Sequence, residues 1–92
     1  MIQITAVKAM PYYKIWLKFS DNTEGMISLM HLANKGIFKE WDSDNLFENV
    51  YIDKETNAIA WNDNIDIDAL SLYLKIKNIT FEQYQELNYA PN

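Results

Sequence analysis

The stretch Lys14-Ile15-Trp16-Leu17-Lys18-Phe19 alternates strictly in character, and it constrains the fold more than any other part of the chain. Successive side chains of a strand point to opposite faces, so Ile15, Leu17 and Phe19 share one face and Lys14, Trp16 and Lys18 the other. Ser20-Asp21-Asn22-Thr23 supplies turn residues, after which Glu24-Gly25-Met26-Ile27-Ser28-Leu29 returns as a partner strand. These signals predict a β-hairpin from Tyr12 to Leu29. A shorter β-prone run from Ile2 to Val7 precedes it, ended or bent by Pro11.

The pattern then changes. Ser28 is placed to cap a short helix from Leu29 to Asn34, with Gly36 positioned to end it. Ile37 to Trp41 reads as a further apolar turn, and Asp44 as the cap of one more helical turn over Asn45 to Glu48. Two strands follow, Val50 to Ile52 and Ala58 to Trp61, joined by a loop from Asp53 to Asn57 that suits a second hairpin. Asp63 and Asn64 turn the chain into a last extended piece, Ile65 to Ile67. Asp68 then stands as the cap of a helix from Ala69 to about Lys77, with Leu70, Tyr73 and Leu74 at core spacing. Thr80-Phe81-Glu82-Gln83 has the form of a capping box. It opens a short helix with an apolar stripe of Phe81, Tyr84 and Leu87. The expected architecture is a single α+β domain over residues 1–92. In it, two antiparallel β-hairpins form one small sheet, short helices lie between them, and a C-terminal helical segment packs on a face. Trp41 and Trp61 are expected in the core.

With these elements in order, the chain resembles the bacterial domain of unknown function 2442 family. The resemblance is carried by Leu17-Lys18-Phe19-Ser20-Asp21, Ile27-Ser28-Leu29, Gly36-Ile37-Phe38 and Leu46-Phe47-Glu48-Asn49-Val50. It continues through Ile59-Ala60-Trp61-Asn62, Ile65-Asp66-Ile67 and Leu72-Tyr73, which places the family-like core at about 12–73 and leaves 74–92 as a helical C-terminal extension. Asn22 and Asn64 stand where the family usually has Gly, and Asn62 where it often has Pro. Asn tolerates left-handed backbone, so these turns can survive. The resemblance implies a small α+β domain, free-standing or joined to a helix-turn-helix unit. It also implies a partner encoded nearby, as in a toxin–antitoxin-like pair, and no catalytic residues.

Composition narrows the chemistry. Cys is absent among the 92 residues, which removes disulfides, thiolate metal sites and Cys nucleophiles and favours a reducing cytoplasm. No signal peptide is expected from Met1 to Thr5, which lacks a basic stretch followed by an apolar run, and no apolar run is long enough for a membrane helix. All eight basic residues are Lys and the net charge is −5, so direct binding of nucleic acid is disfavoured. His31 is the sole histidine, which leaves no His pair or Ser-His-Asp set within one chain. Gly25 and Gly36 stand alone, so no glycine-rich phosphate loop exists. No catalytic, cofactor-binding or metal-binding residues are assigned, and the chain is not expected to be an enzyme.

The charge is unevenly spread. From Glu40 to Asp68 there are nine acids against Lys54, whereas the remainder is net positive. Part of this acidity belongs to caps and turns. The rest points to a protein partner with a basic surface, contacted through Asp42, Asp44, Glu48 and Glu55 and anchored by Trp16. Trp16 is also exposed to the opposite expectation, that a helix covers its face of the sheet. Homo-oligomerisation is compatible with the same surfaces. Asp63, Asp66 and Asp68 lie close enough in sequence for a weak cation site, although the spacing is not that of an EF-hand. The expected function is therefore non-catalytic protein–protein interaction, as the antitoxin-like half of a two-gene pair. The alternatives are an acidic DNA-mimicking inhibitor and a ligand-sensing domain.

Overall fold

The computed structural model describes residues 2–88. The first sheet contains β1 (Ile4–Met10), β2 (Lys14–Phe19) and β3 (Glu24–Ser28), antiparallel and in sequence order. The alternation in β2 is realised: Ile15, Leu17 and Phe19 are buried, while Lys14 is exposed and Trp16 and Lys18 are half-buried. β2 pairs with β3 through Ile15–Ile27 and Leu17–Gly25, as the hairpin signal requires. β1 supplies a third strand, shifted towards Pro11 relative to the run from Ile2 to Val7.

The second sheet contains β4 (Tyr51–Asp53), β5 (Ala58–Asn62) and β6 (Ile65–Asp68), again antiparallel and in order. β5 is buried from Ala58 to Trp61, on both faces. It places large Ile59 and Trp61 on one face and small Ala58 and Ala60 on the other. The α+β class and the two hairpins stand as the sequence indicates. The difference is that each hairpin gains a third strand and the two remain separate sheets, joined by side chains. Asn57 makes one such junction: its side-chain amide donates to Ile2 O at 2.7 Å and accepts from Ile4 N at 3.4 Å. Buried residues of both sheets share one core cluster, including Ile15, Leu17, Trp41, Ile59, Trp61 and Leu72.

The connection between the sheets departs most from the sequence reading. Residues 29–35 form turns rather than a helix, tied by Leu32 N to Leu29 O at 3.0 Å and Lys35 N to Leu32 O at 3.1 Å. Gly36 does not end a helix; it has φ +52 and opens a 3₁₀ helix, Gly36–Asp42. Asp44 does not cap the next one, Leu46–Asn49. Asp44 and Asn45 both adopt left-handed backbone, φ 50 and 57, and among the described residues no side chain caps that helix. A carboxylate held at positive φ is not in the extended conformation an N-cap uses.

The C-terminal elements follow the capping signals. α1 (Ala69–Lys77) begins at Asp68, whose carboxylate accepts from Ser71 N at 3.0 Å and Ser71 Oγ at 2.6 Å. It buries Ala69, Leu72 and the expected Tyr73; the inward face is shifted by one residue from the expected set, so that Leu70 and Leu74 are half-buried. Ile76 of α1 lies over the inner face of the first sheet, where a Cβ on Gly25 would come within 3.1 Å of it. α2 (Phe81–Asn88) carries the expected reciprocal cap: Thr80 N donates to Gln83 Oε1 at 2.8 Å and Gln83 N to Thr80 Oγ1 at 3.1 Å. The Tyr73 hydroxyl donates to Asp21 at 2.6 Å, pinning α1 to the β2–β3 turn. This hydrogen bond is the main reason the Asp21 carboxyl lies below its ordinary range, and burial and Asp21 together hold the Tyr73 hydroxyl above its own. At Asp68, burial pushes the carboxyl upward, but hydrogen bonds led by those from Ser71 and joined by the backbone N–H groups of Asp68 and Leu70 outweigh it and leave the group lowered. Among the described residues no helix is long and apolar enough to cross a membrane.

Candidate functional site: an acidic cleft beside an aromatic cluster

The β1–β2 connection is Pro11-Tyr12-Tyr13, and both tyrosines occupy the left-handed region, φ 64 and 58. Such backbone costs a residue with a Cβ about 1–2 kcal/mol, so surrounding contacts must impose it. Tyr13 supplies them. Its ring stacks on Trp41 with centroids 6.0 Å apart and meets Phe47 edge-on at 5.3 Å. Its hydroxyl donates to Asp42 Oδ1, and its carbonyl accepts from Leu29 N at 2.7 Å. Tyr12 makes up the other half of the turn and is left 77% exposed.

Beneath Tyr13 lies a cluster of Phe38, Trp41, Phe47 and Trp61, with Trp41 and Trp61 centroids 4.9 Å apart. Trp61 Nε1 donates to Phe47 O at 2.9 Å, which fixes the 3₁₀ helix Leu46–Asn49 against the second sheet. Among the described residues, Trp41 Nε1 is buried without an acceptor. A cleft of about 740 Å³ opens beside this cluster, with Val7 to Met10 of β1 as one wall and Asp42, Asn45, Glu48 and Val50 as the other. Two carboxylates and the exposed Tyr12 therefore surround a space floored by aromatic rings, with Lys8, among the described residues, as the only base at its margin. Aromatic faces and carboxylates both attract cations, and more strongly where water is partly displaced.

Of the five sequence-derived contact residues, the fold brings Asp42 and Glu48 together here. Asp44 is exposed on the neighbouring turn and does not line the cleft. Glu55 sits in the β4–β5 loop, where its backbone N–H is bonded to Asp53 at 3.0 Å. Trp16 lies on the outer face of the first sheet, between Lys8 and Met26. Met26 there is 53% exposed, and α1 covers the opposite face at Gly25. Tyr12 and Tyr13, the residues that shape the cleft, carry no local signal in the sequence beyond following Pro11.

Asp63, Asp66 and Asp68 are not assembled into a site, since Asp68 is committed to the α1 cap. Among the described residues, no group of three or more His, Cys, Asp or Glu is placed to hold a metal ion. His31 is exposed and lines a separate depression of about 560 Å³ with Leu32, Ile67 and Leu74.

The family model described as Protein of unknown function (DUF2442) matches residues 4–78. The chain belongs to this family. In this DUF2442 chain the matched span begins at β1, takes in both sheets and ends just beyond α1. The cleft therefore lies wholly within the family fold, whereas α2 lies outside it. No curated protein and no solved structure matches the chain.

Proposed function

We propose that this DUF2442 chain is a non-catalytic protein-interaction domain that binds a partner with a basic surface through the cleft. The observation that carries this is the convergence of Asp42 and Glu48 on one aromatic-floored space next to Tyr12. A lysine or arginine side chain entering it meets two carboxylates and the accessible rings of Tyr12 and Tyr13, the combination that anchors basic residues at protein interfaces. In a two-gene arrangement the chain is the neutralising half, and the partner is the product of the adjacent gene. Its site of action in this reading is the cytoplasm.

The DNA-mimic alternative requires acids repeated along one surface at phosphate-like spacing. Against it, Asp53 is used in a loop turn and Asp68 in a cap, and Glu55 lies away from the cleft. The test is co-expression with the neighbouring gene product. A complex that survives low salt, dissociates as ionic strength rises and is lost in Asp42→Asn/Glu48→Gln supports the proposal. A chain that purifies alone at low salt, with no salt-sensitive association, sinks it.

A further inference from the structure

The cleft runs along an unpaired strand edge, with the 3₁₀ helix Leu46–Asn49 packed near β1. Four consecutive residues of β1, Val7 to Met10, line it. Because their side chains alternate between the two faces of the sheet, only a strand edge presents all four to one space. Among the described residues, β1 is the outer strand of its sheet and pairs with β2 on one side alone. In an antiparallel ladder alternate residues turn their N–H and C=O away from the partner strand, so two of these four direct both groups outward. The beginning of the strand is closed off, by the register irregularity between Ile4 and Ala6 and by the Asn57 amide bonded to Ile2 and Ile4. From Ala6 to Met10 the register runs unbroken. Among the described residues, nothing outside the sheet hydrogen-bonds to the backbone of Val7 to Met10.

We infer that an extended segment of the protein partner adds to this edge as a fourth strand, with basic side chains directed at Asp42 and Glu48. This rests on the basic-partner reading above and specifies how that partner binds. The paired stretch is short, spanning about 13 Å at roughly 3.3 Å per residue. Main-chain hydrogen bonds supply affinity, and the two carboxylates select the side chains at alternate positions. Lys8 projects from the same edge on the Trp16 face and disfavours indiscriminate strand pairing. It accepts a polar or acidic residue opposite it and repels a second base there.

The test uses the full chain and fluorescein-labelled octapeptides read by anisotropy: alternating Lys-Thr, alternating Glu-Thr, and Lys-Thr peptides N-methylated on the lysines or on the threonines. In a strand all lysine amides face one edge and all threonine amides the other. The Lys-Thr peptide is expected to bind at least tenfold more tightly than Glu-Thr. N-methylation of one residue set is expected to weaken it at least tenfold, with the other set changed less than threefold. If neither methylated peptide loses affinity while Asp42→Asn/Glu48→Gln still weakens binding, strand addition is overturned and the basic-partner reading stands. If Lys-Thr binds no better than Glu-Thr, both fall.

Discussion

Trp41 and Trp61 form a matched pair on which the energetics of the aromatic cluster can be tested. Both rings are buried, 2% and 3% exposed, and they touch each other. Replacing either by Phe deletes the same atoms, so the lost burial and the cavity are similar and largely cancel in the comparison. The hydrogen bonding does not cancel. Trp61→Phe removes the donor 2.9 Å from Phe47 O and leaves a carbonyl unpartnered in the core, which costs about 1–3 kcal/mol. Trp41→Phe instead removes an indole N–H that has no acceptor, so a desolvation penalty of similar size is relieved. Trp61→Phe should therefore be the less stable of the two by about 2 kcal/mol or more. For a domain of this size that corresponds to a gap of about 8–16 °C in Tm. Urea and thermal unfolding followed by far-UV circular dichroism measure it without relying on tryptophan emission. Equal destabilisation, or a larger loss for Trp41→Phe, would show that the Trp41 N–H is bonded in solution and refute the assignment.

Three further outcomes follow from individual contacts. Asp68→Ala removes the α1 cap and should cost about 1 kcal/mol, a fall in Tm of about 4–8 °C; an unchanged Tm would mean that the Ser71 contacts carry no net stability. Asp21 has its pKa lowered chiefly by the Tyr73 hydroxyl, so its contribution is complete above the unfolded value near 3.8 and is lost as pH falls below it. Tyr73→Phe should accordingly flatten the decline of Tm below about pH 4, and an unaltered acid limb would contradict the coupling. Tyr12→Asn keeps left-handed backbone at lower strain and should raise stability by up to about 1 kcal/mol; denaturant melts check this, and a loss of stability would mean the Tyr12 ring contributes packing despite its exposure.

The legible parts of the fold are those where one local signal meets no competition. The alternation of β2, the Asp68 cap and the Thr80–Gln83 box each specify backbone through groups a few residues apart, and each is found in place. With only two glycines in the chain, asparagine takes over the left-handed positions: Asn22, Asn34, Asn45, Asn57 and Asn78 all have positive φ. Asn22 is among them as its place in the hairpin turn suggests, whereas Asn64 instead closes a turn onto the Asn62 side chain.

What was not legible is set by contacts distant in sequence. Residues 29–35 have helix-compatible spacing, yet the Leu29 N–H is taken by Tyr13 O, sixteen residues earlier in the chain, and the segment is held as turns. The division into two sheets depends on Asn57 and the shared core rather than on any pattern within the strands. For the candidate site, the acidity of the middle segment was visible, but not which acids converge. Asp42 is brought to the cleft by Tyr13 and Glu48 by the 3₁₀ turn locked through Trp61, while Asp44, two residues from Asp42, faces elsewhere. Trp16 was visible as an outward aromatic and is one, on a different surface from the acids.

The most direct test of the cleft as the binding surface compares two charge-matched double variants, Asp42→Asn/Glu48→Gln and Asp44→Asn/Glu55→Gln, against the labelled Lys-Thr octapeptide at low salt. Each removes two negative charges, so a nonspecific electrostatic attraction falls equally in both. Two partly exposed ion pairs are together worth about 1.4 kcal/mol, which is about tenfold in Kd. The cleft variant should therefore weaken binding about tenfold with little change in Tm, and the control variant by less than threefold. Equal weakening in both, or full affinity in the cleft variant, would contradict the assignment of Asp42 and Glu48.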